Sequence, residues 1–235
     1  MFWLTITRLV SYVAPLLSGL VYTVVLAPVI MMLASMIAVI FAVLLHSPSS
    51  RVRHTIHIYV ALVRSIPELV HIYIWYEALA IVGLVLPAVI AGIAALAVAY
   101  GAFLGEVFRG GVLAIEVTQW EAGYVLGMPN LMIWRRIVLP QVIRHILPVW
   151  TSYYVSMYKA TALLGIITVP DLLYRARGVA TQNFRVLEVY LIVLLVYYII
   201  GWGSLRIIGL YGNWMRIDLV KNEKSKLPKR FEKIV

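Results

Sequence analysis

Residues 119–148 read Gln-Trp-Glu-Ala-Gly-Tyr-Val-Leu-Gly-Met-Pro-Asn-Leu-Met-Ile-Trp-Arg-Arg-Ile-Val-Leu-Pro-Gln-Val-Ile-Arg-His-Ile-Leu-Pro, a polar-punctuated stretch in an otherwise apolar chain. Glu121 to Leu126 holds good helix formers, with Ala122, Val125 and Leu126 available for one apolar face. Gly127 and Pro129-Asn130 stop that helix. Leu131 to Val138 is a second amphipathic run with Arg135 and Arg136 on its polar side. Pro140 and Pro148 bracket the entry to the next apolar run. The expectation is two short helices joined by a turn beside a membrane. A surface helix with an apolar face and arginines also suits simple rest on lipid headgroups.

The bulk of the chain sets the class. Of 235 residues, 63% are hydrophobic and 13% charged, too apolar for a water-soluble domain of this size. The whole of 1–235 is expected to be one all-α, polytopic membrane domain. There are no cysteines, which excludes a disulfide framework or a cysteine-ligated metal. The net charge of +10 does not argue for nucleic acid, because the basic residues sit in membrane-flanking loops. No Asp, Glu, Lys or Arg occurs between Arg8 and Arg51, a run longer than a secretory signal core.

Five spans are expected, since a bilayer core needs about 20 apolar residues. The first lies within Leu16 to Leu45, with Pro28 kinking it or marking its start. The second runs from near Arg53 toward Ile81 and carries Arg64, Glu68, His71 and Glu77, with Pro67 interrupting its hydrogen bonding. The third begins near Pro87 and continues past Glu106 and Arg109 toward Ile115; its many alanines permit close packing. The fourth begins near Ile146 and carries Lys159. Asp171 to Glu188 is the longest outer connection, the fifth span is Val189 to Leu205, and an irregular basic tail follows from Arg206. Lys and Arg concentrate on the side of the 115–148 loop and of the tail, while Arg8, Arg175, Arg177 and Arg185 fall opposite. That bias puts the N-terminus outside and the C-terminus in the cytoplasm.

Ionisable groups inside spans are functional candidates by default. At about 1.5 Å of rise per residue, Arg64 lies about 16 Å past Arg53, Lys159 about 20 Å past Ile146 and Glu106 about 14 Å before Ile115. Three groups from three spans therefore reach mid-membrane. Either Glu106 pairs with Arg64 or Lys159 as structural glue, or the three form a central site for a zwitterion. Arg64 and Glu68 are also i,i+4 neighbours suited to a local pair. His46, His54, His57, His71 and His145 have no metal-binding spacing. Tyr197-Tyr198, Trp202, Tyr211 and Trp214 suit membrane interfaces, and Tyr153-Tyr154 suits packing.

The segment Glu121-Ala122-Gly123, then Leu126-Gly127, then Leu139-Pro140, resembles the cytoplasmic coupling loop of type I ABC importer permeases. More narrowly, it is similar to those for polar amino acids of the histidine, arginine and glutamine type. Further matches are Arg64-Ser65-Ile66-Pro67, Ala99-Tyr100 with Glu106 and Arg109-Gly110-Gly111, and Lys159-Ala160-Thr161-Ala162-Leu163-Leu164. The resemblance covers roughly Arg51 to Asp171. The chain departs from the family pattern at Thr118, Gly123, Ser65-Ile66 and Ala160, where Gly, Ala, Gly-Thr and Asp are usual.

The resemblance implies a permease subunit of the bacterial inner membrane that moves polar or charged L-amino acids by alternating access. It assigns substrate contact to Arg64, Ser65, Pro67, Glu106, Lys159 and Thr161, and ATPase coupling to Glu121, Ala122, Gly123, Leu126 and Gly127. The chain has no G-x-x-x-x-G-K-[ST] loop. ATP and Mg would therefore sit on separate ABC ATPase subunits, with no cofactor or metal in this chain. A second permease chain, identical or related, and a periplasmic or extracellular substrate-binding protein complete the expected assembly. The rival reading is a non-transporting membrane scaffold that recruits a cytoplasmic partner through residues 119–148.

Overall fold

The computed structural model describes residues 2–45 and 47–214, with side chains placed for 12–45 and 47–210. Expectations for Arg8, His46, Tyr211 and Trp214 as side chains, and for the tail at 215–235, fall outside the described residues. Every regular element described is helical.

Helix α1, Phe2–Leu45, is continuous despite Pro15 and Pro28 within it. Helix α2 is Ser50–Ser65 and α3 is Glu68–Ile81, meeting at a bend of 102°. Helix α4, Ala88–Leu113, begins directly after Pro87. Helix α5, Val117–Val125, is short. Helix α6 spans 130–160 and carries one wide turn at Trp134–Val138. A tight helical turn at Thr161–Ile167 follows, then α7, Leu172–Asn183, and α8, Val186–Trp214.

Close helix approach organises the core. α1 lies along α4, with Ala27, Ala34 and Ala38 buried on one side and Ala91, Ala95, Ala99 and Ala102 on the other. Gly101 and Gly105 stand four apart on α4, the small-residue spacing that lets helices touch in lipid. A Cβ on Gly101 would come within 2.6 Å of Ile37 Cγ2, so the contact requires glycine. Trp150 on α6 donates to Ser35 Oγ on α1 at 3.0 Å, and Tyr158 donates to the Tyr197 carbonyl on α8 at 3.0 Å.

Three helices are long and apolar enough to cross a membrane among the described residues: Tyr12–Leu45, Ala88–Leu113 and Val186–Leu210. The α2–α3 pair adds a fourth if its two arms count as one broken span. α6 lacks the apolarity, because Arg144 and Lys159 lie on it and Ser152, Ser156 and Lys159 form an exposed polar face.

Four expectations are corrected. The run from Arg53 to Ile81 is two helices at a steep angle, not one interrupted rod. The second short helix of the coupling stretch is continuous with the following long helix, and the backbone widens at Trp134–Val138. Pro140 there lacks an N–H and its ring crowds the carbonyl four residues back, so the ladder opens by one residue. The connection from Asp171 to Glu188 contains the three-turn helix α7. The residues from Arg206 to Trp214 are helical rather than irregular, and Arg206 stacks over Trp202 at 5.1 Å.

Candidate substrate site and coupling segment

The stretch from Gln119 to Pro148 turns sharply between α5 and α6. At the end of α5, Met128 N–H donates to the Gly123 carbonyl at 3.0 Å and Gly127 N–H to the Tyr124 carbonyl at 2.9 Å. Gly127 has φ +68. This paired closure around a left-handed residue is what glycine permits after a helix. Trp120 then meets Trp134 edge-on at 5.2 Å. Gly123, buried, lies against Ile133, and a Cβ there would sit 2.7 Å from Ile133 Cγ1. Ile133 thus fills the volume that the family's usual alanine would take.

The apolar face read from sequence exists but points outward. Glu121 and Ala122 are exposed, Val125 is 86% exposed and Leu126 is 76% exposed. The inward face is Trp120 and Gly123 instead. Glu121 makes no ion pair among the described residues.

The intramembrane charges arrange differently from the depth arithmetic. Glu106 Oε2 accepts from Arg109 Nε at 2.8 Å, and Glu106 Oε1 lies 3.7 Å from His57 Nδ1. It pairs with neither Arg64 nor Lys159. Arg64 places its guanidinium 5.3 Å from the Phe103 ring centroid. Lys159 is exposed and has no ion pair among the described residues. Ser65 donates to the Ala61 carbonyl, and Thr161, fully buried, donates to the Tyr158 carbonyl, both at 2.7 Å. These two hydroxyls are therefore spent on their own helices. Arg64 and Glu68 are not helical neighbours, because the break falls between them.

The break has a physical cause. The Val63 carbonyl would ordinarily accept from residue 67, but Pro67 has no N–H. Ile66 N–H reaches that carbonyl at 3.3 Å and His71 Nε2 at 2.9 Å, donating across the bend. His71 is 4% exposed, a buried side chain that serves the backbone at the bend.

The sequence also missed a set of aromatic contacts. Tyr100 OH donates to Glu68 Oε1 at 3.5 Å. Tyr153 stacks on Phe103 at 5.7 Å and meets Tyr100 edge-on at 6.4 Å. The signal was Tyr100 and Phe103, one turn apart on α4 facing the charges that flank Pro67.

Between α6 and α7, Asp171 caps α7 by accepting from Tyr174 N–H at 2.8 Å. It is fully buried, and among the described residues neither its Oδ2 nor the neighbouring Tyr197 hydroxyl makes a hydrogen bond of ordinary geometry. Burial pushes the Asp171 carboxyl up to about 6. A Cβ on Gly19 would meet the Asp171 carbonyl oxygen at 2.6 Å, so α1 passes directly against this corner.

Three helices long and apolar enough to cross a membrane, and a helix pair broken by 102°, define the frame of a multi-pass membrane protein. The chain belongs to the family of binding-protein-dependent transport system inner membrane components, which matches residues 34–209. It is 29% identical over 197 residues to the probable amino-acid ABC transporter permease protein YckA of Bacillus subtilis, covering 84% of this chain and 85% of that one. It is 31% identical over 174 residues to the arginine ABC transporter permease protein ArtQ of Haemophilus influenzae, covering 71% and 78%. The fold matches a crystal structure of an amino acid ABC transporter with histidines, with TM-score 0.80, 27% identity and coverage of 87% and 96%. It matches an inward-facing MetNI methionine ABC transporter structure in fold, with TM-score 0.67, 20% identity and coverage of 83% and 95%. The chain is a multi-pass permease of an ABC importer.

Proposed function

We propose that this permease carries polar or charged L-amino acids inward by alternating access, as one half of a two-chain pathway. The observation that carries the reading is the hairpin of Glu121, Ala122, Val125 and Leu126. It is rigidly closed at Gly127, buttressed at Gly123 and free on its outer face. Separate ATPase subunits, which bind ATP and Mg, grip that face. Their closure pushes the hairpin, and continuous helix α6 transmits the push to the substrate region, because no flexible link separates the two. A binding protein delivers substrate on the opposite side. α6 serves as a further span, giving five with the N-terminus outside and the C-terminus cytoplasmic. Its exposed polar face of Ser152, Ser156 and Lys159 then lines the pathway toward the second permease chain, since lipid would leave those groups unsatisfied. Arg64, Ser65, Pro67, Lys159 and Thr161 border the substrate region. Glu106, engaged by Arg109 and His57, holds the α2–α4 contact. The relatives' amino-acid substrates support the substrate class.

The test is co-expression with the ATPase and permease partners. The wild-type chain co-purifies with both, and replacing residues 119–148 by a neutral linker releases the ATPase. Complete complexes with the linker would overturn the assignment.

A further inference from the structure

Two opposite charges flank the α2–α3 break without meeting. Arg64 closes α2 and Glu68 opens α3, separated by Ser65-Ile66-Pro67 and the 102° bend. Neither makes an ion pair among the described residues. Each is held instead by an aromatic side chain of α4. The Arg64 guanidinium lies over Phe103, and Glu68 accepts from the Tyr100 hydroxyl. The two rings are 6.3 Å apart by centroid, and Tyr153 of α6 braces both. His71 fixes the bend that sets the spacing of the two charges. Tyr100 is 3% exposed and acts as an anchor, whereas Arg64 is exposed and Glu68, Phe103 and Tyr153 are half-buried.

We propose that Arg64 and Glu68 are the two poles that recognise the backbone of an α-amino acid. Arg64 takes the carboxylate through its planar fork of donors. Glu68 takes the ammonium, and the Phe103–Tyr153 stack forms the wall against which the side chain lies. Opposite charges kept apart by a rigid aromatic wall remain available to a ligand that carries both signs. Glu106 does not serve as the acid, because Arg109 already pairs with its carboxylate at 2.8 Å. Tyr100 is a positioning residue that aims Glu68. This assignment rests on the amino-acid reading above.

The experiment uses the full complex in liposomes with labelled L-arginine, L-glutamine and L-cystine, each singly. For L-arginine the competitors are agmatine, which lacks the carboxylate, and 5-guanidinopentanoate, which lacks the ammonium. Losing one charge-assisted contact raises KM about tenfold or more in Glu68→Gln. That variant also lets the deaminated analogue compete nearly as well as the amino acid, while the wild type rejects it. Arg64→Gln shows the mirror effect with the decarboxylated analogue. Tyr100→Phe, which keeps the ring, raises KM severalfold and decides the matter if Glu68→Gln fails to assemble. Unchanged KM and unchanged analogue discrimination in Glu68→Gln, or an equal rise in Glu106→Gln, overturns the assignment while leaving amino-acid transport standing. No uptake of any of the three by the wild type overturns the amino-acid reading, and this assignment with it.

Discussion

The imidazole of His71 donates to the Val63 carbonyl at 2.9 Å, across the break that Pro67 opens. A side chain eight residues ahead thus replaces a missing backbone donor. His71→Phe keeps a ring of similar size and leaves the carbonyl with only the longer Ile66 N–H bond. A buried acceptor losing its partner costs about 1–3 kcal/mol. The expected outcome is a lower melting temperature of the purified protein in His71→Phe and partial recovery in His71→Gln, whose amide also donates. Equal stability of all three would show that the break does not depend on this bond.

The hairpin depends on two glycines for different reasons. Gly123→Leu drives a side chain into Ile133, and overpacking of this kind costs about 1–3 kcal/mol. Gly127 has open space around its Cα, so Gly127→Val fails through its left-handed backbone alone, at about 1–2 kcal/mol. Gly127→Asn is therefore tolerated better than Gly127→Val, whereas Gly123→Asn gains nothing over other polar substitutions of its size. Transport-coupled ATPase activity of the assembled complex reads both. Equal activity in Gly127→Val and Gly127→Asn would contradict the backbone explanation.

Asp171 makes a pH-dependent contribution. Its carboxyl is raised from 3.8 to about 6 by burial, so the folded state favours the protonated form. Well below pH 3.8 the group is protonated folded and unfolded, and its stability contribution is fully present. As pH rises through 6 that contribution is lost, by about 3 kcal/mol for a shift of this size. Asp171→Asn keeps the helix cap, since Asn caps as well as Asp. Its melting temperature should come closest to the wild type at the acid end, well below pH 3.8, and exceed it at pH 7.5. A gap that is constant with pH would contradict burial as the cause.

The orientation is testable because the chain has no cysteines. A cysteine at Glu121 should react with a membrane-impermeant maleimide only from the cytoplasmic side, and one at Gln182 only from the outside. Both reacting from one side would contradict the placement of α7 opposite the hairpin.

What the sequence disclosed followed from local rules. Pro87 starts α4, and Gly127 closes α5, because each acts through its own backbone geometry. A short helix ended by Gly127 was legible for the same reason, whereas the run after Pro129 joined the following long helix. Rise per residue placed Arg64, Glu106 and Lys159 at similar depths, but depth says nothing of azimuth around a helix. Glu106 consequently faces Arg109 and His57. The direction of the hairpin's apolar face was not legible, since Ala122, Val125 and Leu126 look the same packed inward or outward. α7 was missed because Arg175, Arg177 and Gln182 mask its buried Leu172, Ala176, Val179 and Ala180. The steepness of the α2–α3 bend escaped because its support, His71, reaches back across it.

The most direct measurement is ATP-dependent uptake of labelled amino acids into liposomes holding this chain, its ATPase, its permease partner and the binding protein. The account predicts accumulation with ATP and none without it. Glu121→Lys should leave insertion intact and cut uptake about tenfold or more, the size expected if Glu121 makes a charge-assisted contact with the ATPase. Uptake without ATP, undiminished uptake in Glu121→Lys, or transport of only sugars, peptides or metal ions would contradict it.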